Sequence, residues 1–80
     1  MFRKLLRTDD IEVAEQMYSV RYYEAMTLRG VMRYSSEIVI GPADRIILDD
    51  SSLSDLESKV ARLAPATIYS RLLVARATAA

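Results

Sequence analysis

Eighty residues make one small domain, 1–80, with a thin core, because a chain this short buries only about 60–65% of the surface it exposes when unfolded. There is no Cys and no His, which removes disulfides, thiolate chemistry and the usual zinc ligands together. Eleven basic and eleven acidic residues cancel, so the basic surplus of a nucleic-acid binder is missing, and no stretch approaches the ~20 apolar residues of a membrane span.

The opening decapeptide, MFRKLLRTDD, has a basic start and three large apolar residues, and Asp9-Asp10 closes its apolar run. It is too short for a secretory signal. We read it as a first strand or turn that tucks Phe2, Leu5 and Leu6 onto the core of a protein from a cytoplasm-like compartment.

Asp9 followed three residues later by Glu12, with Asp10 between them, fits a helix start, where acidic groups meet the positive end of the helix dipole. Gly30 fits a left-handed cap at the other end. The spacing predicts a long N-terminal helix over about residues 10–29, roughly 30 Å in length. Wound as a helix, Ile11, Ala14, Tyr18, Tyr22 and Ala25 form one apolar stripe, with Met26 at its edge. Val13, Met17, Val20 and Leu28 form a second, broken by Glu24. A helix that covers its own core needs a stripe of little more than ~100°. Two stripes call for two packing partners. Tyr23 falls in the polar arc, and an exposed tyrosine suits an interface because it pairs a large apolar ring with a polar tip.

Met32, Tyr34, Ile38 and Ile40 then alternate with Arg33, Ser35 and Glu37, the period of a half-buried strand. GPAD is a turn with Pro42 at its second position, and RIILD is a second strand with Ile46 and Leu48 facing one way and Arg45, Ile47 and Asp49 the other. These segments predict an antiparallel β-hairpin of about nine and about five residues, so part of the first strand has no partner inside it.

A second helix follows over residues 53–63, on the spacing of Leu53, Leu56, Val60 and Leu63. Ser54 with Glu57 fits a capping box, and Ser52 with Asp55 fits a competing one. Pro65 is expected to end this helix, because it pushes Ala64 out of helical geometry. The last segment, ATIYSRLLVARATA, is a further helix with Ile68, Tyr69, Leu72 and Leu73 on one side, or a third strand on its β-branched and aromatic content.

Within this region, VARLAPATIYSRLL (residues 60–73) resembles, over 14 residues, the helix-turn-helix of lactose-repressor-like regulators. VARLA matches the first half and ATIYSRLL the recognition helix. The family places a glycine-containing turn of three to four residues between the halves. Here only Pro65 separates them, so the second helix would be turned by about 300° and would no longer cross the first as the motif requires. The strand-helix-helix order fits a ribbon-helix-helix dimer better. Its outward strand set, Arg45, Ile47 and Asp49 with Asp44 and Asp50 beside it, would set carboxylates against phosphate.

The catalytic inventory is short. The acidic pairs Asp9-Asp10 and Asp49-Asp50 precede predicted helices, where they act as caps, and adjacent carboxylates on an element point apart. There is no phosphate loop, dinucleotide fingerprint or nucleophile elbow. The expectation is an α+β domain without cofactor or metal: a non-enzymatic protein-interaction module, homodimeric, acting as a regulator, inhibitor or assembly component on another protein. Its expected interface is Val13, Met17, Val20, Tyr23 and Leu28. The competing expectation is a small dimeric DNA-binding regulator of ribbon-helix-helix or helix-turn-helix type.

Overall fold

A computed structural model describes residues 3–79. The chain runs as four strands and one helix: β1 (Arg3–Val13), β2 (Gln16–Met26), β3 (Met32–Gly41), β4 (Asp44–Asp50) and α1 (Leu53–Ala79). The strands form one antiparallel meander in the order β1-β2-β3-β4. The expected position of Phe2 lies outside the described residues.

The predicted N-terminal helix over 10–29 is absent, and its residues form most of the first hairpin. The reason lies in the pattern. Ile11 and Val13 point to one side of β1; Tyr18, Val20 and Tyr22 point to the same side of β2. A spacing of four residues is one helical turn, but it is also two strand repeats, so Tyr18 and Tyr22 satisfy both periods. The β-branched and aromatic content decides for the strand once partners exist on both flanks. The turn between the strands hides the hairpin. Ala14 and Glu15 take φ of 52° and 67°, the left-handed pair of a two-residue hairpin, without the Gly, Asn or Asp that normally marks one.

Gly30 does have a left-handed φ, 79°, but it closes the β2–β3 loop and not a helix. There the Thr27 carbonyl accepts the Gly30 N–H at 2.9 Å, and the Thr27 hydroxyl accepts that of Val31 at 3.1 Å. The predicted second hairpin is present as β3–β4. Its longer strand does extend past β4, at Met32 and Arg33, and there it pairs with Met26 and Ala25 of β2.

Ser52, and not Ser54, caps α1: its hydroxyl accepts the Asp55 N–H at 3.4 Å, and its carbonyl accepts that of Leu56 at 2.9 Å. The two expected C-terminal segments are one helix of 27 residues that runs through Pro65. An interior proline costs about 3 kcal/mol in lost hydrogen bonding and ring clash. Here the stripe on both sides of it is continuous: Leu56, Val60, Ala64 and Ile68 are buried against the sheet. Burying the larger of these side chains contributes roughly 1.5–3 kcal/mol each, which together exceeds the proline penalty. Near the defect the Thr67 hydroxyl donates to the Leu63 carbonyl at 2.8 Å.

The helix packs against β4, β3 and β1, so the sheet bends around it and both edge strands reach it. Charged pairs fasten those edges. Lys59 pairs with Asp50 at 3.0 Å and donates to the Asp49 carbonyl at 2.7 Å; Arg71 pairs with Asp44; Arg7 of β1 reaches Glu57. Between sheet and helix lie Val13, Tyr18, Val20, Tyr22, Ile38 and Ile46 with the helix stripe.

A candidate interaction surface on the open face of the sheet

Strand alternation sends every second side chain away from α1. On that convex side no element covers the sheet among the described residues. The registers place Met17 and Ser19 beside Val39, then Arg21, Glu37 and Ile47 in one row, then Leu5, Tyr23, Ser35 and Asp49 in the next. Leu5, Met17, Val39 and Ile47 are each more than half exposed.

The charges on this face are largely neutralised in place. Glu37 is only 8% exposed, and its carboxylate accepts from Arg45 at 3.0 Å. Arg33 donates to Asp49 at 3.1 Å, and the Ser19 hydroxyl donates to Asp10 at 3.3 Å. The Arg3 guanidinium stacks 3.9 Å from the centre of the Tyr23 ring. Two open depressions mark the face. One, of about 310 Å³, is walled by Met17, Ser19, Arg21, Glu37 and Val39; the other, of about 260 Å³, by Ala25, Met26, Arg33, Tyr34 and Asp49.

The five residues expected at an interface separate into two groups. Met17 is 63% exposed on the open face, Tyr23 is half-buried on it, and Leu28 is 98% exposed at the tip of the β2–β3 loop. Val13 and Val20 belong to the core under α1 instead. Val20 is fully buried, so a charge there would unfold the chain and would not merely release a partner. The double stripe that called for a second chain is thus an artefact of winding two strands as a helix. Val39, Ile47 and Leu5 join the surface. The outward direction of Ile47 is readable from alternation; that of Leu5 is not, because β1 carries a bulge between Leu5 and Arg7 that turns Leu6 inward.

Neither acidic pair forms a shared carboxylate site. Asp9 accepts from Arg7 at 3.0 Å on the concave side, while Asp10 lies on the open face. Asp49 is held by Arg33, and Asp50 by Lys59 and the Ser51 N–H. Hydrogen bonds from Lys59 and Ser51 hold the Asp50 carboxyl below the ordinary aspartate range. Burial pushes the Tyr22 phenol up, helped by the Asp9 charge, while Arg7 over its ring at 4.6 Å acts the other way. Glu57 and then Asp9 hold Arg7 still more firmly protonated. No set of three or more potential metal ligands converges among the described residues, and no helix there is long and apolar enough to cross a membrane.

The helix-turn-helix likeness of residues 60–73 is not realised, because α1 has no turn at Pro65. The same continuity leaves no pair of helices for a ribbon-helix-helix arrangement. The chain matches no protein-family model, no curated protein and no solved structure.

Proposed function

We propose that this chain is a small non-enzymatic protein-interaction module of the cytoplasm, acting as a regulator, inhibitor or assembly component, with the open sheet face as its contact surface. One observation carries the reading: among the described residues the sheet has a helix on one side only, and the other side holds four large apolar side chains among charges that are largely paired in place. Exposed apolar side chains gathered on one face, among charges that are largely paired in place, suit a contact surface. Leu28 at the loop tip extends the apolar rim.

A photo-crosslinking residue placed at Met17 or Ile47 in living cells should give a discrete adduct, whereas one at Ser58, exposed on α1, should not. Val39→Asp should abolish the adduct while leaving far-UV dichroism intact. Equal labelling from all three positions, or labelling indifferent to Val39→Asp, would remove the support for this surface. Duplex DNA as the ligand finds less support, since Arg33 and Arg45 already face carboxylates of their own chain. A mobility shift that weakens steeply with salt would argue for DNA instead.

A further inference from the structure

The sheet has two free edges, and they are unlike. β4 is short, and its charges are mostly acidic: Asp44, Arg45, Asp49 and Asp50. β1 is 11 residues long and pairs only with β2, so its outward backbone groups have no partner among the described residues. Proteins usually protect such an edge with charge, because a second strand then meets like against like. The charges of β1 are sorted instead. Arg3, Lys4 and Arg7 precede Thr8; Asp9, Asp10 and Glu12 follow it.

We infer that β1 pairs antiparallel with β1 of a second copy about a twofold axis at Thr8, joining two sheets into one of eight strands. In that pairing Arg7 of each copy falls opposite Asp9 of the other. The bulge at Leu6 shifts the far end by one residue, and Glu12 then meets Arg3, which lies on the same open face of the sheet. Pairing centred on Asp10 would bring two carboxylates together, and parallel pairing in register would oppose like charges throughout. Antiparallel self-pairing of β4 about Ile47 would set Arg45 against Asp49 but also Asp44 against Asp50. Of the two edges, only β1 meets itself without opposing like charges. Among the described residues, Arg3 and Glu12 form no ion pair within the protomer, so their charges are open to this use. The twofold axis is perpendicular to the sheet. Both helices then lie on one side and both open faces on the other, and the inference does not depend on what those faces bind.

Sedimentation of the purified chain should give twice the protomer mass of 9.0 kDa. Two double variants test the pairing: Arg3→Glu with Lys4→Glu, and Asp10→Lys with Glu12→Lys. Each alone opposes like charges and should weaken self-association by about tenfold or more, with unchanged far-UV dichroism. An equimolar mixture restores opposite charges at both ends of the pairing and should recover the dimer as a heterodimer. A protomer mass for the wild-type chain would overturn the inference. So would a dimer that both variants leave intact. If Ile47→Asp dissolved that intact dimer, the open face would be the self-contact: the edge inference would fall, and the interaction module would stand.

Discussion

The two faces of this sheet come from the same strands by the same alternation, but they differ in what lies over them. The concave face holds Val20, Ile38 and Tyr22 beneath α1, and Val20 and Ile38 have no exposed surface. The convex face holds Met17, Val39 and Ile47, each more than half exposed. Residue type does not separate the two sets; the position of the helix does. Apolar character in a strand therefore reports that a surface is suited to burial, and the rest of the chain decides whether burial occurs within the protomer.

The contrast is sharpest in paired truncations. Ile38→Ala should destabilise the fold by about 2–5 kcal/mol, through lost transfer energy and the cavity left behind. Ile47→Ala, a change of the same size on the other face, should stay within about 0.5 kcal/mol. Urea titration of the two variants checks this, and equal losses would mean that the convex face is packed within the protomer. A smaller effect is expected at the β1–β2 turn, which joins two strands that contribute to both faces. Ala14→Asn with Glu15→Gly replaces two residues in left-handed geometry by residues that tolerate it, and should stabilise by about 1–2 kcal/mol. A loss in the same titration would show that the turn geometry is otherwise.

The smallest effect concerns the clamp that holds α1 on the concave face. Asp50 is held below the ordinary aspartate range when folded, so the unfolded chain takes up its proton more readily. The contribution of this group is whole above the unfolded value and is lost as pH falls through the lowered folded one. Thermal melts between about pH 5 and pH 2 should show a shallower acid slope for Lys59→Met than for the wild-type chain. Identical slopes would mean that Lys59 does not set the Asp50 titration.

The β3–β4 hairpin is legible in the sequence because each of its signals agrees: strict alternation, Pro42 in the turn, and Ile46 and Leu48 in step with Ile38. The first hairpin is not, because its signals conflict. Its turn residues Ala14 and Glu15 are ordinary helix formers, and Asp9, Asp10 and Glu12 imitate a helix start. Of the expected interface, Met17, Tyr23 and Leu28 reach the surface. Helical geometry places them outside the first apolar stripe, and strand geometry turns Met17 and Tyr23 away from α1, since both periods can send the same residue outward. Val13 and Val20 show where the two periods part.

By itself the sequence determined the absence of cysteine and histidine, the balance of charge, and the alternation that builds β3 and β4. It also determined the sorting of basic and acidic residues along β1, since that order is a property of the chain and not of its packing. Only the tertiary structure decided that residues 10–29 form the first hairpin and the loop after it, that α1 survives Pro65, and which side of the sheet is left bare. The physical reason is common to all three. Local preference amounts to tenths of a kcal/mol per residue, up to ~3 for proline, while burial across elements contributes several, so partners distant in sequence outweigh neighbours.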